Sequence, residues 1–232
     1  MAHLTPWATF FRTRAAESSL RSWYAQISAH FFGICNIATF KSRTPPVKAR
    51  LPGREDGYNV DMIRTEHVLD SWRTIREDTI RAVEDFPANE FDFRATPDMQ
   101  TFGEIARHIL QSSEGLTGML LAGEEDFTVP DFRQRLARHI EDPAPGVAGL
   151  TAALRGSLNG RLTELAARPA DFWAREITRF DGQRLTRLEM VQFIKEHELT
   201  HRAQLFMYLR LKGIVPATTR RRMAKAAQQP AR

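Results

Sequence analysis

Between residues 60 and 216, apolar side chains return every third or fourth position in four long blocks, the spacing of amphipathic helices. Val68, Leu69, Trp72, Ile75, Thr79, Ile80, Val83 and Phe86 make the first, which Pro87 stops. Thr101-Phe102-Gly103-Glu104 is a capping box, in which each of the two polar side chains satisfies a free backbone N–H at a helix start. It opens the second block, through Ile105, Ile109, Leu116 and Leu120 to about Gly123. Residues 124–146 are acidic and proline-containing, with a short helix expected over Phe132 to Ile140. Val147, Leu150, Leu154, Leu158, Leu162 and Leu165 form the third block, ended by Pro169. The alternation Trp173, Arg175, Ile177, Arg179 followed by Asp181-Gly182 predicts a short β-hairpin. A second capping box, Thr186 to Glu189, begins the last block, which runs to about Lys212 and is closed by Gly213 and Pro216. Together these elements predict an all-α four-helix bundle with a short hairpin before its last helix.

On that last helix the stripe Met190, Ile194, His197, His201, Gln204, Tyr208, Leu211 advances by alternating steps of four and three. This is the inward seam of a bundle helix, and two of its positions are histidines. A spacing of four puts both imidazoles on one face, a turn apart, where they can share a metal ion. Two core histidines with ordinary hydrogen-bond partners would be the simplest alternative. However, a leucine-rich core offers few partners for two adjacent imidazoles and the Glu beside them. The string His197-Glu198-Leu199-Thr200-His201 also fits the pattern of zinc proteases, with Glu198 as general base. That reading needs a third ligand downstream, and beyond His201 the chain has no Asp, Glu or His. A third ligand must come from upstream. His108 lies at the edge of the second helix's apolar face, between Ile105 and Ser112. His67 falls on a polar face, His139 in the acidic connection, and His3 and His30 in the N-terminal segment, so these fit less well.

Charge divides the chain into three. Residues 1–50 carry net +6 and residues 217–232 net +5, leaving net −6 for residues 51–216. The helical body is thus mildly acidic, and a high pI carried by the ends does not describe a nucleic-acid groove. The segment 1–58 is nearly acid-free and ends in a Pro-rich run (Thr44-Pro45-Pro46 through Pro52-Gly53), apart from the bundle at 59–216 and the basic tail at 217–232. It reads as an upstream start ahead of Met62, a disordered basic arm, or a targeting segment, in that order. Cys35 is the only cysteine, which rules out an intramolecular disulfide and makes a cytoplasmic setting the default. No run reaches the ~20 apolar residues of a membrane span. The nearest, Trp23 to Phe40, is broken by Gln26, Ser28, His30 and Asn36.

The segment Phe102-Gly103-Glu104-Ile105-Ala106-Arg107-His108-Ile109 and, 89 residues after its histidine, His197-Glu198-Leu199-Thr200-His201-Arg202-Ala203-Gln204 resemble the DinB-like (DinB/YfiT) family. The resemblance covers about Met62 to Pro216 and leaves the N-terminal segment and the Arg-rich tail outside. It implies an up-down-down-up four-helix bundle with His108, His197 and His201 as ligands of one divalent transition metal ion. Where the family usually has glycine, this chain has Ala203, a change that bears on packing more than on chemistry. Nitrogen-only ligation suits zinc or nickel and also allows iron or manganese.

Members of the family include thiol-dependent S-transferases and a thiol-dependent isomerase that use bacillithiol or mycothiol. The resemblance therefore implies metal-activated transfer of a low-molecular-weight thiol, with a small-molecule substrate, no specific nucleic acid and a homodimer as a further expectation. Two other readings compete: a hydrolase using metal-bound water with Glu198 as base, and a non-enzymatic metal-binding stress protein whose Arg220-Arg221-Arg222 run meets acidic partners. Glu198, Gln204 and Tyr208 are the polar neighbours to test. Glu198 could instead orient an imidazole or pair with Arg202, and Tyr208 could be a core aromatic.

Overall fold

Local signals set the ends of the helices. The computed structural model describes residues 64–228. Helix α1 spans Thr65–Asp85 and stops where Phe86, preceding Pro87, turns to extended backbone. Helix α2, Phe102–Leu121, starts from the expected box: the Glu104 N–H donates to Thr101 Oγ1 (3.1 Å) and the Thr101 N–H to Glu104 Oε2 (2.7 Å). After a short α3, Phe132–Ala137, comes α4, Gly146–Ala166, then a single turn, α5, Ala170–Ala174. Strands β1 (Glu176–Thr178) and β2 (Arg184–Thr186) pair antiparallel with Ile177 opposite Leu185. Helix α6, Arg187–Leu211, begins at the second box. It ends in a Schellman motif, with Ile214 N–H donating to Leu209 O and Gly213 N–H to Arg210 O. Gly213 carries the positive φ, +75°, that this stop requires. Helix α7, Ala217–Ala227, follows.

Two apolar clusters reveal the direction of each helix. The first joins Val68, Leu69 and Trp72 of α1 to Leu116, Met119 and Leu120 of α2, Leu158, Leu162 and Leu165 of α4, and Met190, Val191 and Ile194 of α6. The second joins Ile80, Val83 and Phe86 to Phe102, Ile105 and Ile109, Leu150 and Leu154, and Leu205 and Leu209. The starts of α1 and α6 therefore lie with the ends of α2 and α4, and the order is up-down-down-up. Both α1 and α2 pack on α4 and on α6, so consecutive α1 and α2 stand across the bundle from each other. The α2–α6 groove is thus formed by helices far apart in sequence. No helix among the described residues is long and apolar enough to cross a membrane.

The structure departs from the pattern in four places. Trp173 belongs to α5 rather than to a strand; Pro169 begins that turn, and Phe172 and Trp173 are both buried. Helix α3 is shorter than expected: past Ala137 the chain tightens into i→i−3 turns, His139 N–H to Leu136 O and Ile140 N–H to Ala137 O, and Leu136 and His139 lie against α2. A Cβ at Gly115 would lie 2.6 Å from Leu136, and one at Gly118 would lie 2.4 Å from His139. Leu211, expected in the seam, is 58% exposed. A straight α-helix drifts by ~20° per heptad against a strict seven-residue repeat, and the buried line moves to Leu205 and Leu209. Finally, the basic tail contains an eleven-residue helix, α7, pinned to α1 by Arg221–Asp78 (2.7 Å) and Arg220–Asp85 (2.8 Å). The N-terminal segment 1–58, with His3, His30 and Cys35, lies outside the described residues.

Candidate metal centre

Midway along the α2–α6 groove the structure brings together His108, His197 and His201. His108 and His197 are buried and His201 is half-buried. His197 Nε2 lies 3.2 Å from His108 Nε2 and 3.1 Å from His201 Nε2. One coordinating atom from each of the three lies within 4.8 Å of the other two. For metal–nitrogen bonds of 2.0–2.1 Å, two ligands at the corners of a tetrahedron sit about 3.3 Å apart. The observed spacing is close to that edge.

The protonation states also suit ligation. Burial, with the neighbouring His201, holds His108 down to about 3 from an ordinary 6.5, and burial with His108 and His201 holds His197 well below it. Both rings are therefore neutral near pH 7, as a metal ligand must be. His201 Nδ1 lies 2.7 Å from Gln204 Oε1. With Nδ1–H donating to that oxygen, the Nε2 lone pair points into the site, the usual role of an outer partner to a ligating histidine. On α2 the Ser112 hydroxyl lies 3.3 Å from His108 Nδ1. The Phe193 ring lies along His197, with centroids 6.4 Å apart and planes at 25°. The residues present therefore fit a divalent transition ion.

The remaining candidates fall elsewhere. His67 is exposed beside Arg64, and His139 covers Gly118. Tyr208 is a core aromatic: its hydroxyl donates to Gln100 O (2.6 Å) and its ring packs edge-on against Phe93. Ala203, at the family's glycine position, is exposed.

Arg202 has its ion pair with Asp78 (3.6 Å) and feels Glu198 only electrostatically, whereas Glu198 is bonded to three side chains of α1. Glu198 is 1% exposed and accepts from Arg76 Nε (2.8 Å) and Thr79 Oγ1 (2.9 Å) at Oε1, and from Trp72 Nε1 (2.8 Å) at Oε2. Both carboxylate oxygens are thus taken by donors from α1. Arg76 is the residue that the apolar pattern passes over. It is fully buried, and besides Glu198 it donates to Ser113 Oγ (2.7 Å) and Leu154 O (3.2 Å). Its place in the stripe, four after Trp72 and four before Ile80, was the available signal.

A four-helix bundle with a three-histidine cluster between its second and last long helices is the arrangement of a bundle metal site. The chain belongs to the DinB family, whose model matches residues 61–232 and so takes in the C-terminal residues as well. A DinB-like protein of Bacillus subtilis superposes with a TM-score of 0.51 at 18% identity, covering 63% of this chain and 92% of that one. YfiT of Bacillus subtilis, described as a probable metal-dependent hydrolase with an unusual four-helix-bundle topology, superposes with a TM-score of 0.50 at 14% identity, covering 71% and 94%. A mycothiol-dependent maleylpyruvate isomerase gives a TM-score of 0.48 at 15% identity, covering 62% and 61%. At these identities the two Bacillus subtilis likenesses speak to fold alone, and the third carries no argument. No curated protein matches the chain in sequence.

Proposed function

We propose that His108, His197 and His201 hold one divalent transition metal ion, zinc or nickel by preference, and that the protein is an enzyme using it to activate a low-molecular-weight thiol for S-transfer. The observation that carries this reading is the convergence of three Nε2 atoms at 3.1 and 3.2 Å about His197. When bound, such an ion acts as a Lewis acid that lowers the pKa of a thiol. The chain's own residues do the rest. Burial keeps His108 and His197 neutral, and Gln204 orients His201.

The commitment of Glu198 to Arg76 favours a thiol cosubstrate over hydrolysis through Glu198. An acidified thiol is already nucleophilic as its thiolate and needs no carboxylate beside it, whereas the protease-like scheme requires one. The test is elemental analysis of purified protein together with turnover of a small electrophile, with and without added thiol. About one transition ion per chain is expected, with strong depletion in His201→Ala and turnover that needs both ion and thiol. Turnover without thiol would establish a hydrolase instead. A wild-type protein that takes up no ion would end the proposal.

A further inference from the structure

Arg76 lies on α1, the helix across the bundle from α2, and α1 supplies none of the three histidines. Its guanidinium nevertheless reaches every other long helix: Nε to Glu198 on α6, Nη2 to Ser113 on α2, and Nη1 to Leu154 O on α4. Trp72 and Thr79, about a turn to either side on α1, bond the same Glu198 carboxylate. The cluster lies between the two apolar layers. Glu198 sits between His197 and His201 on α6, and Ser113 follows His108 by five positions on α2. The two helices that supply the imidazoles are therefore each tied, close to those imidazoles, to one planar group on a third helix.

Stability does not account for this arrangement. Both side chains are buried, at 0% and 1% exposure, and replacing a buried ion pair with apolar residues of similar size is often neutral or stabilising. What a fork of directed donors supplies, and an apolar contact does not, is register. Ligand sets tolerate only about 0.5 Å of error, and Nε2 atoms on separate helices separate as soon as one helix slides along the other.

Resting on the metal-site reading above, we infer that Arg76 and Glu198 are a positioning pair for the metal centre: they never touch the ion but set the mutual register of α2 and α6, and through it the affinity and coordination geometry of the site. Ser113 is the pair's link to the His108 helix.

The test compares wild type, the double variant Arg76→Met/Glu198→Leu, and Ser113→Ala. Zinc affinity is measured by competition with a chromogenic chelator, cobalt coordination by visible absorption, and stability by urea unfolding of the metal-free proteins. The double variant is expected to unfold at a urea concentration near that of wild type, the relief of a buried ion pair being offset by the acceptor that Trp72 N–H loses, yet to bind zinc roughly ten- to a hundredfold more weakly and to lose intensity in the cobalt bands. Ser113→Ala, which leaves the ion pair in place, is expected to weaken zinc binding in the same direction by a smaller factor. A stable double variant with wild-type affinity and an unchanged cobalt spectrum would overturn the inference. If the double variant does not fold, Ser113→Ala decides: unchanged affinity and spectrum overturn the inference, and a loss of affinity in the folded protein upholds it. Failure of wild type to bind zinc or cobalt would instead sink the metal-site reading itself.

Discussion

Substituting Glu198→Gln separates the two roles this residue could have. As a general base, Glu198 would be expendable for folding, and its amide would abolish turnover while leaving stability intact. The structure gives a different expectation. Oε1 accepts from a guanidinium and a hydroxyl, and Oε2 from an indole N–H, at 2.8, 2.9 and 2.8 Å. An amide has a single acceptor oxygen. Turned toward Arg76 and Thr79, it points its NH2 at the indole N–H of Trp72; flipped, it points NH2 at the guanidinium. Either orientation loses at least one bond and leaves Arg76 fully buried without its counter-charge. Breaking one side of a buried pair costs about 3–5 kcal/mol. For a domain of this size each kcal/mol moves Tm by about 2–4 °C, so a fall of roughly 6–20 °C is expected. Thermal unfolding of the metal-stripped protein, followed by far-UV circular dichroism, measures that fall, and urea unfolding measures the free energy. A Glu198→Gln protein within about 1 kcal/mol of wild type but devoid of turnover would refute this account and restore the general base.

Three further outcomes follow from the geometry. Gly118→Ala is expected to destabilise by about 1–3 kcal/mol through overpacking, since its Cβ would meet His139 at 2.4 Å. By contrast, Gly156→Ala and Gly160→Ala, which meet nothing within 4 Å on α4, should each stabilise by up to about 1 kcal/mol; equal effects at all three in urea unfolding would contradict the packing described. The metal-free protein should lose stability as pH falls from 6.5 toward about 3, because the unfolded chain takes up a proton that folded His108 refuses; that group's contribution is complete above 6.5, its slope is at most about 1.4 kcal/mol per pH unit, and a His108→Gln protein with the same acid slope would count against it. Gln204→Leu should leave the fold intact but weaken zinc binding about ten- to a hundredfold, read by chelator competition, because His201 loses the acceptor that fixes its ring.

Features written locally were readable from the chain. Both capping boxes, Thr101–Glu104 and Thr186–Glu189, satisfy their donors within four residues, so no tertiary knowledge is needed to place them. The histidine pair on α6 is likewise local, being a single turn of one helix. That His108 completes the trio was not local: composition and periodicity put it at a boundary, and only the family resemblance joined it to α6. Arg76 escaped for a physical reason, since a charged side chain in an apolar stripe is ordinarily solvated, and only the partner Glu198 on α6 makes its burial tolerable. Composition shows the tail only as a basic run, because the acids that fix it, Asp78 and Asp85, lie more than a hundred residues earlier. Extending a seven-residue repeat places Leu211 inward, and a straight helix does not keep that repeat.

The protease-like string on α6 shows how a bundle can divide a motif. Successive residues of a helix are turned by about 100°, so Glu198 cannot share a direction with His197. In this fold α6 packs on two of the long helices, α1 and α2. His197 turns toward α2, where His108 waits, while Glu198 turns toward α1, where Trp72, Arg76 and Thr79 take its carboxylate. A carboxylate can serve a metal-bound nucleophile only if the side of the helix it occupies is open to the same cavity. Here that side is filled by another helix. The same five letters therefore face two ways: imidazoles that meet His108 on one side, and on the other a carboxylate bonded to three side chains of α1.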